Sequence, residues 1–207
     1  MVDFRLYLVT DRHSSKARPL ADAIDEACGA GVRAVQLREK DLDARSLHDL
    51  SVGFRRITAS HGAALFINDR VDIAMAVGAD GIHSPENGFP PGAARRIAGR
   101  EILAGVSTHS LERARQAEED GADFITFGPV FDTPSKLKYG AAQGLEMLRT
   151  VACGAGIPVF AIGGITPERA RQCIDCGARG VAVVSAILAS SNIERALREF
   201  ERALGTL

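Results

Sequence analysis

The chain has 207 residues, a formal net charge of −1 at pH 7 and 46% hydrophobic residues. This length predicts one domain that buries roughly 70% of the surface its unfolded form exposes. The near-neutral charge argues against nucleic acids and membrane surfaces as partners, because both require a basic face. No run approaches the roughly 20 apolar residues of a membrane span, and charges interrupt the apolar start, so no signal peptide and a soluble, cytoplasmic protein are expected.

Eight short apolar runs alternate with helical patterns along the chain. The runs are residues 4–9, 34–37, 64–67, 81–83, 102–106, 124–127, 158–162 and 180–184. Helices are predicted for Leu20–Ala30, Ser46–Ala59, a short proline-started segment at 90–98, Leu111–Asp120, Pro167–Cys176 and Ile193–Leu204. A glycine before a strand recurs at Gly31, Gly78, Gly121 and Gly177. This repeat predicts an α/β fold, a single-domain (β/α)8 TIM barrel over 1–207, with an open doubly wound sheet as the alternative.

Two strand ends near the C-terminus indicate an anion site. Gly163 and Gly164 follow the seventh run and allow a ligand to approach the backbone closely. Thr166-Pro167 then begins a helix whose N-terminal amides attract anions. Val184 and Ser185 end the eighth run, and the last two strand ends of such barrels commonly bind phosphate. The sequence therefore predicts a small phosphorylated substrate.

Polar or cationic side chains stand at most of the other predicted strand ends, whereas the strand bodies are apolar. In chain order they are Gln36, Arg38, Lys40, Asn68, Asp69, His83, Ser107, His109, and, in the loop 128–140, Thr133, Ser135 and Lys136. Because the active sites of such barrels lie at the C-terminal ends of the strands, these residues predict one active-site mouth. Arg38, Lys40 and Lys136 would bring three cations to it, which suits a polyphosphate.

Asp69 and the two histidines each have two interpretations. A single carboxylate with substrate phosphates is a common Mg²⁺ site, but Asp69 could instead cap the helix that follows it. His83 and His109 could contact a ligand or move a proton near neutral pH. His109 could also merely precede the helix cap Ser110, whose capping box is incomplete because Arg113 replaces the glutamate.

Four cysteines, Cys28, Cys153, Cys173 and Cys176, do not make a disulfide framework in a chain of this length. Cys173-x-x-Cys176 could be redox-active or half of a metal site, but it lies within a predicted helix and has no matching ligand pair nearby. Packing or surface roles are therefore favoured.

In order along essentially the whole chain, the signature runs resemble one family: thiamin phosphate synthase and its relative, the TenI-type thiazole tautomerase. The matching runs are 36–40, 67–72, 105–110, 128–131, 133–136, 161–166 and 180–187. For the synthase, the resemblance implies joining of hydroxymethylpyrimidine diphosphate to a thiazole phosphate with release of pyrophosphate. It assigns the diphosphate to Arg38, Lys40, Asn68 and Lys136, Mg²⁺ to Asp69, the pyrimidine or phosphates to Gln36, Ser107, Thr133 and Ser135, and the thiazole phosphate to Gly164, Val184 and Ser185.

One departure from the synthase pattern keeps the tautomerase open. Gly88 stands where the synthase carries an aspartate as its second Mg²⁺ ligand, and Glu86 could substitute for it. Asp132, where synthases usually carry proline, also resembles the tautomerase. In the tautomerase the histidine matching His109 moves a proton on the thiazole ring, and neither metal nor diphosphate is required. The intact Gln36–Lys40 run and Asp69 favour the synthase. A non-catalytic thiazole or thiamin phosphate binder is the third hypothesis, and the sequence leaves a homodimer open.

Overall fold

The computed structural model describes residues 2–15, 18–99, 101–133 and 141–205. Its strands are β1 Leu6–Val9, β2 Ala34–Leu37, β3 Ala64–Asn68, β4 Gly81–Ser84, β5 Leu103–Thr108, β6 Phe124–Phe127, β7 Val159–Ile162 and β8 Gly180–Val183. Each strand pairs in parallel with the next, and β1 also pairs with β8, so the sheet is closed. The predicted (β/α)8 barrel is confirmed, and the open sheet is excluded.

The helices are α1 Leu20–Gly29, α2 Ala44–Ser60, α3 Val71–Val77, α4 Pro91–Ala98, α5 Leu111–Glu119, α6 Gly144–Gly154, α7 Pro167–Asp175, α8 Ser185–Leu188 and α9 Ile193–Leu204. The predicted helices agree with these bounds closely. The α2 helix begins before the predicted Ser46 because Asp43 accepts a hydrogen bond from the Ser46 amide and caps it. Three helices are not predicted from the sequence: α3 and α8 are too short to show helical periodicity, and α6, with 11 residues, is missed. Within the described ranges, no helix is long and apolar enough to cross a membrane.

The barrel interior is filled by large aromatic side chains that face strand glycines. Gly81 and Gly105 have no side chain because an added Cβ would lie 2.2 Å from Phe66 Cδ1 and 2.5 Å from Phe124 Cζ. The interior rings pack with centroids 5.1 to 6.3 Å apart; they are Phe4, Tyr7, Phe66, Phe124 and Phe160. This packing leaves the polar strand ends as the part of the interior that opens outward.

Three of the cysteines belong to the layer between the barrel and its helices. Cys28, Cys173 and Cys176 are buried, Cys153 is exposed, and all four are free thiols. Burial raises the pKa of the Cys28 thiol to about 11 and that of Cys173 to about 12, which disfavours the reactive thiolate. The part of the chain that the structure describes also holds no cluster of three or more metal-ligating side chains. The burial of three thiols and the exposure of Cys153 agree with packing and surface roles, which stay a prediction.

Candidate active site

The turn after β7 is built from two glycines in left-handed backbone conformations. Gly163 has φ = 100° and Gly164 has φ = 65°, values that residues with a Cβ rarely adopt. A Cβ on Gly164 would lie 2.7 Å from the Asp132 carbonyl oxygen, so the turn is in close backbone contact with the β6–α6 loop. Thr166 then caps α7 by accepting a hydrogen bond from the Arg169 amide. A turn of this kind before a helix N-terminus can present backbone amides to an anion.

The end of β8 lies beside this turn. Ile162 of β7 is paired with Ala182 of β8, so the residues that follow the two strands are neighbours. Val184 is half-buried, and Ser185 is exposed at the start of α8. The four residues predicted to bind phosphate therefore occupy two adjacent strand ends: Gly163, Gly164, Val184 and Ser185.

Arg169 supports the glycine turn, and sequence reasoning missed it. Its guanidinium donates to the Gly164 carbonyl oxygen at 2.7 Å, and its Cζ lies 4.7 Å from the ring centroid of Phe131. The Phe131 amide donates to the Gly163 carbonyl oxygen at 3.1 Å. Arg169 thus ties the turn to the β6–α6 loop, but its sequence position resembles that of any other arginine on an amphipathic helix.

A buried polar layer joins the aromatic core to the mouth. The Gln36 side-chain amide donates to the Tyr7 hydroxyl at 3.1 Å, and that hydroxyl lies 3.4 Å from His83 Nδ1. On the other side of the ring, His83 Nε2 lies 3.1 Å from Ser107 Oγ, to which Thr126 also donates at 3.4 Å. This chain of hydrogen bonds fixes Gln36 and Ser107, two of the predicted substrate contacts, at the base of the mouth.

His83 is a member of this layer and is only 1% exposed. Burial, together with the nearby charge of Arg38, lowers the pKa of His83 to about 3, so the ring is neutral at physiological pH. Both ring nitrogens lie within hydrogen-bonding distance of protein groups, Tyr7 and Ser107. The ring lies beneath Ser107 and supports it, and a direct contact of His83 with the substrate stays a prediction.

Arg38 and Lys40 leave the barrel on the loop after β2. The Arg38 side chain is half-buried, and its charge is near enough to influence His83, while Lys40 is exposed. Neither cation forms an ion pair with a carboxylate of the described residues. The two side chains therefore keep their positive charge available for an anion, and their contact with a diphosphate stays a prediction.

Asp69 does not cap α3. The N-cap residue is Arg70, which makes no side-chain cap, and Asp69 itself has φ = 61°, a left-handed conformation unusual for a residue other than glycine. Its amide donates to the His83 carbonyl oxygen at 3.0 Å, and the Arg70 amide donates to the Asn68 carbonyl oxygen at 2.8 Å. This turn leaves the Asp69 carboxylate exposed at the strand end beside Asn68.

Gly88 lies directly against the Asp69 carboxylate. A Cβ added to Gly88 would be 3.1 Å from Asp69 Oδ1, so position 88 is where a second carboxylate would sit. The same Cβ would lie 2.6 Å from Pro85 Cδ and 3.0 Å from the Pro85 carbonyl oxygen. The loop in this conformation therefore has no room for the aspartate that the synthase pattern carries.

Glu86 is paired with His109 and the start of α5. Its Oε1 accepts a hydrogen bond from the His109 amide at 3.0 Å and lies 3.3 Å from His109 Nδ1 and 3.8 Å from Arg113 Nε. Arg113 also donates to the Glu86 carbonyl oxygen at 2.6 Å, and Ser110 caps α5 through the Arg113 amide. The expected cap is therefore present, with Arg113 directed to the β4–α4 loop. Glu86 already has cationic and amide partners, so these contacts do not support it as a substitute for the missing metal ligand.

The β6–α6 loop is described only in part. Thr133 is half-buried and is the last described residue before a gap, and Asp132 is exposed. The predicted substrate contact Ser135 and the predicted catalytic cation Lys136 lie outside the described residues.

A closed barrel with a glycine turn suited to phosphate, a cationic loop and an exposed carboxylate defines a (β/α)8 enzyme of phosphorylated small molecules. The family model described as thiamine monophosphate synthase matches residues 6–187. The chain therefore belongs to the thiamine monophosphate synthase family, which includes TenI.

Individual relatives agree with this assignment over nearly full length. A protein named putative thiamine-phosphate synthase from Geobacter sulfurreducens is 50% identical over 203 residues, which cover 98% of this chain and 93% of that protein. The thiamine-phosphate synthase of Moorella thermoacetica is 40% identical over 204 residues, which cover 99% of this chain and 97% of the relative. The solved structure of thiamine phosphate pyrophosphorylase from Pyrococcus furiosus is similar to this chain, with a TM-score of 0.87 and 34% sequence identity. The match covers 98% of this chain and 96% of the chain of that structure.

Proposed function

We propose that this protein is a thiamine-phosphate synthase of thiamin biosynthesis, which joins hydroxymethylpyrimidine diphosphate to a thiazole phosphate and releases pyrophosphate. The observation that carries the proposal is the convergence of two kinds of anion-binding group at one end of the barrel. The glycine turn at Gly163 and Gly164 suits a phosphate monoester, whereas Arg38, Lys40 and Asp69 suit a diphosphate with its cation. Relatives that carry the synthase name at 40% identity and above support it.

Mg²⁺ fits the donors at the mouth. Mg²⁺ is usually held by one or two carboxylates together with substrate phosphates and waters, and Asp69 presents one exposed carboxylate at a strand end. Among the described residues no group of three or more His, Cys, Asp or Glu side chains could hold the ion, so Asp69 would hold Mg²⁺ together with diphosphate and water oxygens. Bound Mg²⁺ supplies positive charge that offsets the charge developing on the diphosphate leaving group.

The residues of the chain act by binding, orientation and charge. Arg38 and Lys40, with Lys136, stabilise the leaving diphosphate as its bond to the methylene carbon attached to the pyrimidine ring breaks. Gln36 and Ser107, held by the buried polar layer, orient the pyrimidine. The glycine turn and Ser185 hold the thiazole phosphate so that the thiazole nitrogen faces the carbon that loses the diphosphate.

A coupling assay tests this function. Purified protein with pyrimidine diphosphate, aromatic thiazole phosphate and Mg²⁺ is expected to form thiamin phosphate and pyrophosphate in equal amounts. Asp69→Asn should lower kcat/KM on the order of a hundredfold. The matched control Asp72→Asn removes an exposed carboxylate that pairs with Arg70, and should leave kcat/KM nearly unchanged. Absence of pyrophosphate release with all three components present would refute the synthase function.

The contact between Glu86 and His109 favours a second candidate function, that of a TenI-type thiazole tautomerase. A carboxylate beside Nδ1 fixes one imidazole tautomer and leaves Nε2 available for proton transfer. The glycine at position 88, which leaves Asp69 with no neighbouring carboxylate at that position, agrees with a reaction that needs no metal.

Two variants separate the candidates. His109→Asn should abolish metal-free isomerisation of the thiazole phosphate and leave coupling of the aromatic thiazole largely intact. Asp69→Asn should strongly reduce coupling and leave metal-free isomerisation largely intact. Isomerisation that survives in His109→Asn would exclude the tautomerase mechanism, and tight binding of thiazole phosphate without either reaction would favour the non-catalytic binder.

A further inference from the structure

Glu39 is a buried carboxylate between the two cations of the β2–α2 loop. Glu39 is only 4% exposed, although it stands between Arg38 and Lys40 in the sequence at the mouth. Burying a carboxylate is costly unless hydrogen bonds and charge compensate for lost water. The contacts of Glu39 therefore determine what its charge does at this site.

The partners of Glu39 come from the loop after β1. The Thr10 hydroxyl donates to Glu39 Oε1 at 2.7 Å, and the Arg12 amide donates to Oε1 and Oε2 at 3.2 and 3.1 Å. The Arg12 guanidinium adds an ion pair to Oε2 at 3.4 Å. Glu39 thus binds the β2–α2 loop to the β1–α1 loop across the top of two paired strands.

Thr10 extends this connection to the backbone of Arg38. Its hydroxyl oxygen accepts a hydrogen bond from the Arg38 amide at 2.9 Å while its proton goes to Glu39. The Thr10 amide also donates to the Gln36 carbonyl oxygen at 2.9 Å. The backbone that carries the first cation of the loop is therefore fixed from two sides.

Arg12 also neutralises the next carboxylate of the loop. Its guanidinium binds both oxygens of Asp41 at 2.5 and 2.6 Å, and this contact, with His13, lowers the pKa of Asp41 to about 2. Both acidic side chains that flank Lys40 are thus directed to Arg12. Lys40 and Arg38 form no ion pair with either of them.

We infer that Glu39, with Thr10 and Arg12, is a positioning residue for the cationic loop. It fixes the backbone of Arg38 and Lys40 and keeps its own negative charge bound to Arg12 and Thr10, so that both cations face an incoming diphosphate. This role rests on the proposed function, because it assumes that a diphosphate is the anion bound there.

Calorimetric titration with inorganic pyrophosphate and Mg²⁺ tests the inference. Glu39→Gln places an NH2 donor against the Arg12 amide or the Thr10 hydroxyl, and is expected to weaken pyrophosphate binding about tenfold or more. Thr10→Val removes the bridging hydroxyl and should have a similar effect, whereas Thr10→Ser should restore wild-type affinity. Steady-state kinetics should show a higher KM for the pyrimidine diphosphate and little change in the KM for the thiazole phosphate.

Asp43→Ala is the matched control. Asp43 lies on the same loop, but it caps α2 by accepting a hydrogen bond from the Ser46 amide, and it forms no hydrogen bond or ion pair with Glu39 or Arg12. This variant should lower the Tm and leave pyrophosphate affinity within about twofold. If Glu39 has a purely structural role, Glu39→Gln and Thr10→Val should also lower the Tm and leave pyrophosphate affinity nearly unchanged, as Asp43→Ala does. That result would overturn the inference. If the wild-type protein binds no pyrophosphate, the proposed function itself is wrong, and the inference fails with it.

Discussion

Replacing His83 with glutamine is expected to remove a defined part of the pH dependence of folding. The folded protein holds this imidazole neutral with a pKa of about 3, whereas in the unfolded chain it titrates near 6.5. As the pH falls the unfolded state binds the proton first, so this contribution to stability is complete above pH 6.5 and is lost as the pH falls from 6.5 towards 3. Between pH 7 and pH 5 the loss is about 2 kcal/mol of unfolding free energy. This value is the excess protonation of the unfolded histidine summed over that pH range, about 1.4 pH units, multiplied by about 1.36 kcal/mol per unit.

Urea unfolding at pH 5, 6 and 7 measures this loss, with far-UV circular dichroism as the signal because the chain has no tryptophan. His83→Gln should lose about 2 kcal/mol less than the wild type between pH 7 and pH 5. The control His48→Gln changes a half-buried histidine of α2 that lies outside the buried polar layer, and it should keep the wild-type slope. An equal slope in wild type and His83→Gln would mean that the buried ring is not held neutral, and the proposed support of Ser107 by a neutral imidazole would be wrong.

Three further predictions concern the glycine turn, the core and the thiols. Gly164→Ala and Gly62→Ala both place a Cβ at a φ near 65°, and this backbone strain should cost about 1–2 kcal/mol of stability in each variant. The two sites differ in their surroundings: the Cβ at position 62 meets no neighbour, whereas the Cβ at position 164 would lie 2.7 Å from the Asp132 carbonyl oxygen. Only Gly164→Ala should also weaken thiazole phosphate binding, about tenfold by titration, and equal affinity in the two variants would exclude the turn as the phosphate site. Phe124→Ala removes a fully buried ring and should lower the unfolding free energy by about 3–5 kcal/mol in urea; a loss below 1 kcal/mol would contradict the aromatic packing. Native protein should react with a thiol reagent at Cys153 alone, so Cys153→Ser should abolish the reaction. A reaction that persists in this variant would show that a buried thiol such as Cys173 is accessible, against the prediction.

Much of the fold follows from local patterns. The glycine that recurs before four of the strands and the eight short apolar runs predict the barrel, because each pattern depends on only a few neighbouring residues. The α9 helix has the bounds predicted from its periodicity, Ile193–Leu204, since a strongly amphipathic segment with Asn192 as its cap defines its own ends. The polar strand ends predict the mouth for the same reason.

The details of the site depend on contacts between distant segments, and the sequence does not contain these directly. The burial of His83 arises because Gly105, on the neighbouring strand, has no side chain: a Cβ there would lie 2.6 Å from His83 Nδ1. The partners of Glu86 and Glu39 come from other loops, so neither residue could be assigned from its own motif. The sequence shows Glu39 between two cations, but its burial and its contact with Arg12 are seen only in the structure.

The tight fit of Gly88 also limits which side chains position 88 of this chain can carry. A single change to aspartate at position 88 would bring its Cβ to within 2.6 Å of Pro85 and 3.1 Å of the Asp69 carboxylate. The substitution is therefore expected to be harmful on its own and tolerated only after Pro85 or its loop has changed. A second carboxylate beside Asp69 thus requires at least two changes in this loop, one at position 88 and one at Pro85 or another loop residue.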